Sequence, residues 1–174
     1  MPDDNELMKK VKAGCRESFE YLVLKYRPNA LAFAKRYVKC SEAAQDVVQE
    51  SFASLYVNKD KYDNRCTFKT YLFSIVKNKS IDYLRKNKRL VFMEVIKEDE
   101  NTPEEIFFKK EIRNIVREKI MKLNEDYKTA LYLIEYEDMS YREAAEIMGK
   151  NLVQIKSVIY RARCKMKKML EDVL

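Results

Sequence analysis

The sequence predicts an all-α protein of two small helical domains joined by a short acidic linker, the second domain a helix-turn-helix domain. Three observations lead there. Two glycines and three prolines among 174 residues fall far below the roughly 12% of an average chain, while the helix formers Lys, Glu, Leu and Ala abound. Apolar residues recur at three- and four-residue steps. A run of acids from Glu94 to Glu105 divides two basic stretches: residues 1–90 carry 19 basic and 11 acidic side chains, residues 111–174 carry 13 and 11.

The elements follow in order. Phe19, Leu22, Val23, Tyr26, Ala30, Phe33 and Tyr37 mark an amphipathic helix, which Pro28 is expected to kink or divide. Ser41 offers an N-cap for a helix to about Val57. At about 100° per residue, Ala44, Val48, Phe52 and Leu55 form its apolar stripe, with Glu42, Asp46, Gln49 and Glu50 opposite. Residues 57–66 read as a polar loop, and Thr67 caps a long helix through about Lys88. Phe73, Ile81 and Leu84 leave the side of Phe68, Leu72 and Ile75, so this helix is expected to pack on two sides. The linker spans 91–103. Thr102-Pro103-Glu104-Glu105 then supplies an N-cap, a first-turn proline and two acids, opening a second domain over 104–174. Helices over 104–122 and 125–135 are followed by a short one capped by Ser140 and ending at Met148, with Gly149 as its left-handed stop. The last helix runs from about Leu152 to Leu170.

Composition excludes several chemistries. Histidine is absent, which removes Ser-His and Cys-His catalysis and His-ligated zinc. A net charge of +7 and a pI near 9.1 suit a polyanionic partner. No apolar run approaches a membrane span, and the start MPDDNELMKK does not read as a secretory signal; the expected location is cytoplasmic. Cys15, Cys40, Cys66 and Cys164 are too widely spaced for a CxxC pair and read as small apolar residues, with a redox role as the minority reading.

The last helix carries the clearest functional signal. Leu152, Ile155, Ile159, Ala162, Met166 and Met169 face inward; Gln154, Ser157, Arg161, Lys165 and Lys168 face outward. From Lys150 to Leu170 there are seven basic residues and no acid, as on a DNA-reading surface; a merely solvated basic face is the alternative. The acidic side of the 41–57 helix would repel phosphates and reads, with Val47, as a protein-docking patch, although alone it would pass for a solvated face. Lys77, Lys79, Arg85, Lys86, Lys88 and Arg89 against Asp82, beside Tyr62, Phe68, Tyr71 and Phe73, suit single-stranded nucleic acid. Phe68 and Tyr71 fit the core better than a stacking platform, so Tyr62 in the polar loop is the better candidate for contact with a base.

These motifs, in this order, resemble the small two-domain sigma factors of bacterial transcription, the extracytoplasmic-function group. DVVQESFASLY (46–56) is similar to the family's core-polymerase-binding segment, FKTYLFSIVKNKSIDYLR (68–85) to its promoter-opening helix, and LNEDYKTALYLIEYEDMSYREAAEIMGKNLVQIKSVIYRAR (123–163) to its minus-35-reading domain. The resemblance implies that Asp46, Val47, Gln49 and Glu50 engage core RNA polymerase. It implies that the 57–66 loop captures a flipped base of the melted non-template strand, within a minus-10 set of Tyr62, Arg65, Tyr71, Lys77, Asn78, Asp82, Arg85 and Lys86. It places the helix-turn-helix in the minus-35 major groove through Arg142, Gln154, Lys156, Ser157, Tyr160, Arg161, Arg163 and Lys165. An anti-sigma factor is implied as a further partner; no catalytic residue, metal, cofactor or small-molecule substrate is. Tyr71 stands where the family usually has Trp, Asn151 where it has Pro, Gln154 where it has Thr and Val158 where it has Arg, so base preference should depart from that of typical members. A freestanding helix-turn-helix regulator is the alternative, and a nuclease a distant third, since Asp46 and Glu50 lack a visible metal-ligand constellation.

Overall fold

The computed structural model describes residues 3–87, 115, 116 and 118–171. The chain divides into two compact units, Met1–Ile96 and Lys97–Leu174. The expected linker over 91–103, the helix start at Thr102-Pro103, and Lys88 and Arg89 lie outside the described residues, as does most of the 104–122 helix, of which residues 115, 116 and 118–121 are helical. Every regular element among the described residues is helical.

The first unit packs four helices: α1 (Asp4–Lys12), α2 (Arg16–Ala34), α3 (Ser41–Val57) and α4 (Phe68–Lys86). The apolar pattern did not single out α1, yet its signals are present. Acids Asp4 and Glu6 occupy the first turn and Lys9, Lys10 and Lys12 the last, complementing the helix dipole, and Leu7, Met8 and Val11 are buried. Helix α2 is not divided at Pro28: the proline sits inside it and the helix continues to Ala34. The carbonyl that Pro28 leaves without an N–H partner belongs to Leu24, and both residues are exposed, so water can take its place.

Helix α3 buries Ala43, Ala44, Val47, Val48, Ser51, Phe52 and Leu55. Its N-cap is Cys40 rather than Ser41, which is the first helical residue. Thr67 caps α4 as the sequence predicts, its Oγ1 accepting from the Thr70 N–H at 3.2 Å. Helix α4 packs against both α2 and α3, which accounts for its two apolar sides, and Phe33 stacks on Phe73 with ring centroids 4.7 Å apart.

The 58–66 loop, with a 3₁₀ turn at Lys59–Lys61, is fastened to α1. Lys12 Nζ donates to the Tyr62 carbonyl, Lys59 Nζ to the Val11 carbonyl at 3.1 Å, and the Tyr62 hydroxyl to Asn5 Oδ1 at 2.9 Å and the Cys66 carbonyl at 3.1 Å. Asp4 accepts from Lys25 Nζ at 2.6 Å and from the Tyr26 hydroxyl, tying α1 to α2 as well. Burial drives the Tyr62 phenol up to about 12, with nearby Cys66, Asp4, Asp3 and Asp63 adding to it. Burial and the Asp4 hydrogen bond raise Tyr26 further in the same direction.

The second unit contains α5 (Glu125–Leu131), a π-helical turn (Tyr132–Tyr136), α6 (Tyr141–Met148) and α7 (Leu152–Glu171). Asn124 caps α5, its Oδ1 accepting from the Tyr127 N–H at 2.8 Å. The π turn replaces the last turn of the helix expected to end at residue 135. Tyr132 donates there to the buried Glu137 carboxylate at 2.7 Å, which gives that carboxylate a partner away from water.

Because both folded-state phenols prefer their neutral form, their stabilisation is complete below the ordinary tyrosine value near 10 and is lost as pH rises past it. Calorimetry of the full chain should show the unfolding temperature of the first unit falling between about pH 10 and 12. Tyr62→Phe should flatten part of that fall while costing about 1 kcal/mol at neutral pH; an unchanged slope would remove Tyr62 from the alkaline loss.

Candidate functional site

Two surfaces of opposite sign are built in the first unit. Around α3, Glu42, Asp46, Gln49 and Glu50 are all exposed, on the side away from the buried stripe. Val47 is not with them. It is 4% exposed, because it falls between Ala44 and Ser51 on the face turned to the core; its expected docking contact is corrected to a packing role beneath the acidic ridge. Glu50 Oε2 lies 3.5 Å from Lys79 Nζ of α4, with the carboxylate largely exposed. An exposed pair of this kind contributes at most about 1 kcal/mol, so an outside cation can compete for Glu50.

On α4, Asn78, Asp82, Arg85 and Lys86 are exposed. Their spacing puts them on one face, and Tyr71, seven residues before Asn78, stands on the same face. Asp82 Oδ1 and Arg85 Nη1 are 3.8 Å apart, one turn along the helix. Lys77 and Lys79, both half-buried, flank this face on either side.

Phe68 is in the core as expected, but the exposure of the two tyrosines is the opposite of what was expected. Tyr62 is 1% exposed, clasped by α1 and set edge-on to Phe68 at 6.3 Å. A ring so enclosed has no free face for a base, and its loop position gave no sign that α1 would cover it. Tyr71, whose ring lies 5.3 Å from Tyr62, is half-exposed, and burial raises its phenol. Beside them the loop turns at Asn64, in the left-handed region at φ 60°. Asp63 accepts from the Arg65 N–H at 3.2 Å and pairs with its guanidinium at 2.9 Å, leaving Arg65 exposed.

The helix-turn-helix of the second unit is locally well specified. Ser140 and Glu143 form a reciprocal capping box at the start of α6. Gly149, at φ 63°, ends it, and the Lys150 N–H returns to the Ala145 carbonyl at 2.9 Å. Lys150 Nζ also reaches Asp126 at 2.9 Å, tying the turn to α5. A second reciprocal box opens α7: the Gln154 N–H donates to Asn151 Oδ1 at 2.8 Å, and the Asn151 N–H donates to Gln154 Oε1 at 2.9 Å. Asn151 thus starts the helix without proline, and Gln154 gives its carbonyl oxygen to the cap, keeping its amide donors.

Along α7, Ile155, Ile159 and Ala162 are buried. Leu152, expected inside, is 42% exposed. Lys156, Tyr160, Arg161 and Lys165 are exposed, as is Arg142 of α6, whereas Ser157 is half-buried. Arg163 departs from this group. Its Nε and Nη2 donate to Glu135 at 2.9 and 2.6 Å, and Nη1 reaches the Tyr141 hydroxyl at 3.5 Å. The Glu135 hydrogen bond raises its basicity. Arg163 therefore braces α7 against the π turn on the opposite flank from Gln154 and Arg161, a role no local pattern foretold. Cys40 and Cys164 are exposed rather than packed, and none of the four cysteines forms a disulfide. Among the described residues no cluster of acids and cysteines could hold a metal, and no helix is long and apolar enough to cross a membrane.

Comparison with known proteins fits this geometry. The family model for Sigma-70 region 2 matches residues 22–90 and that for Sigma-70, region 4 matches residues 113–166. The RNA polymerase sigma-H factor of Pseudomonas aeruginosa is 32% identical, across 98% of this chain and 95% of its own length. The ECF RNA polymerase sigma-E factor of Haemophilus influenzae is 34% identical, covering 92% and 91%. Among solved structures, the sigma factor RpoE of Bartonella quintana, in complex with the anti-sigma factor NepR, superposes with a TM-score of 0.73 at 24% identity, over 91% of this chain and 99% of that one. CnrH, in complex with the cytosolic domain of CnrY, does so with a TM-score of 0.72 at 24% identity, over 98% and 99%. With both sigma-70 regions in order and about a third of its residues shared with such relatives over nearly their full length, the chain belongs to the sigma-70 family, as an alternative RNA polymerase sigma factor of the ECF group.

Proposed function

We propose that this sigma factor works through a division of charge: the acidic ridge of α3 docks on core RNA polymerase, and the outward faces of α4 and α7 hold promoter DNA. The observation that carries this reading is the exposure of Asp46, Gln49 and Glu50 on one helix while Asn78, Arg85 and Lys86, and separately Arg161 and Lys165, are exposed on others. Like-charge repulsion keeps phosphates off the ridge, and within a screening length of about 8 Å that repulsion is local.

Residues 1–90 would bind core and open the minus-10 element, residues 104–174 would read minus 35, and residues 91–103 would tether them. Tethering raises the effective concentration of the second contact once the first is made, so weak separate contacts suffice. At minus 10, the Tyr71 ring heads the face of Asn78, Asp82, Arg85 and Lys86 and is the group available to stack on an extruded base; Arg65 and Lys77 supply nearby cations. At minus 35, the start of α7 would face base edges through the Gln154 amide donors, with Ser157 and Tyr160 behind it. Arg142, Lys156, Arg161 and Lys165 would meet phosphates. The chain carries out no covalent step: polymerase makes the RNA, in the cytoplasm. The anti-sigma partner named for the Bartonella quintana relative supports a partner of the same kind here.

Reconstitution of the purified full chain with core polymerase and genomic promoter fragments should yield transcripts from discrete start sites. A dimer that protects a palindrome without polymerase would instead establish the freestanding-regulator reading. With the reconstituted holoenzyme, Arg161→Ala should weaken binding to all minus-35 variants alike and reduce the salt slope by about one. Gln154→Ala should change the ranking of those variants; equal losses on every variant would contradict its base-reading role. Asn151→Ala should cost about 1 kcal/mol through the lost cap, read as faster amide exchange in the first turn of α7.

A further inference from the structure

The first turn of α7 carries two exposed apolar side chains that no hydrogen-bonding or phosphate role explains, Leu152 and, more exposed, Val153. Val153 is 77% exposed, one residue after Leu152 and one before Gln154. A lone exposed valine is ordinary on a protein surface; its place here is not. Ile155, Ile159 and Ala162 fix the buried side of the helix, and at about 100° per residue Val153 lies nearly opposite them, in line with Ser157 and Tyr160. The Asn151–Gln154 box draws the Gln154 carbonyl oxygen back onto the helix start. Val153 is thereby left projecting at the end of the helix that leads into a groove.

We propose that Val153 is a specificity-determining residue that reads the 5-methyl group of a thymine in the major groove of the upstream promoter element. This rests on the proposed minus-35 role of α7. An isopropyl group can neither donate nor accept a hydrogen bond, and the thymine methyl is the one apolar feature that the four base pairs present in that groove. Cytosine places a hydrogen and an amino donor on that side, and a purine places N7 there, so desolvation against Val153 disfavours each of them. The rigid first turn, capped at both Asn151 and Gln154, holds the contact in place without further ordering.

The test uses holoenzyme assembled from the full chain and core polymerase. Its preferred minus-35 element is first selected from a randomised duplex library, and each thymine is then replaced in turn by deoxyuridine, which removes only the methyl group. With the unaltered chain, one replacement should weaken binding about three- to fivefold, the value of one buried methyl-sized group. With Val153→Ala holoenzyme, that position should become indifferent to the methyl while the other positions keep their preferences. An element without thymine, no sensitive position, or the same sensitivity in Val153→Ala would overturn the inference and leave the minus-35 reading standing. Absence of any selected minus-35 sequence would overturn both. Val153→Ala replaces an exposed residue with a better helix former, so the helix is retained.

Discussion

Helix α3 has a face it must bury and a face it can only expose, and the rest of the first unit is arranged around that division. Seven side chains from Ala43 to Leu55 pack inward, and each large apolar group among them is stabilised by about 1.5–3 kcal/mol on leaving water. Rotating the helix to hide its acids would expose Phe52 and Leu55 and bury carboxylates without partners, a change costing far more than the unit's marginal stability. The acidic ridge is therefore fixed in place by hydrophobic packing, and Val47, under the ridge, belongs to what holds it.

The same packing sets the position of the α4 face proposed to hold DNA. Helix α4 lies against α3 and α2, and its exposed side chains, Asn78, Asp82, Arg85 and Lys86, gather on the remaining face with the half-exposed Tyr71. Helix α1 extends the arrangement to the loop before α4. Its polar ties to Tyr62 and Lys59 convert a charged segment into a shaped one, with Tyr62 as a buried post beside the half-exposed Tyr71. In the proposed reading a base would meet Tyr71, which is half-exposed, rather than the buried Tyr62 ring that holds the loop.

Much of this was legible in sequence where the signal is local. The Thr67 and Ser140 caps, the Gly149 stop, the apolar stripe of α3 and the span of α7 follow from side-chain chemistry within a few residues, and they appear as expected. What was missed depends on distant partners. Tyr62 looked exposed because its neighbours are polar, but the groups that bury it come from α1, some fifty residues earlier. Arg163, expected to contact DNA, also pairs with Glu135 of the π turn, a partner that no local pattern announces. Pro28 looked like a kink or a break because its lost hydrogen bond was weighed without knowing that Leu24, the residue left without that partner, lies exposed. In the candidate sites, residue type and helical phase pointed to the faces; which members of a face are exposed depends on contacts that no spacing encodes.

The claim on which the account turns is that exposed negative charge on α3 is the grip on polymerase. The direct measurement is the affinity of fluorescently labelled full-length chain for core polymerase, compared between the unaltered protein and the Asp46→Lys, Glu50→Lys double variant, with helicity followed by circular dichroism. The account predicts at least a hundredfold loss of affinity, about 2.7 kcal/mol, at unchanged helicity. Retained affinity in a folded double variant would contradict it.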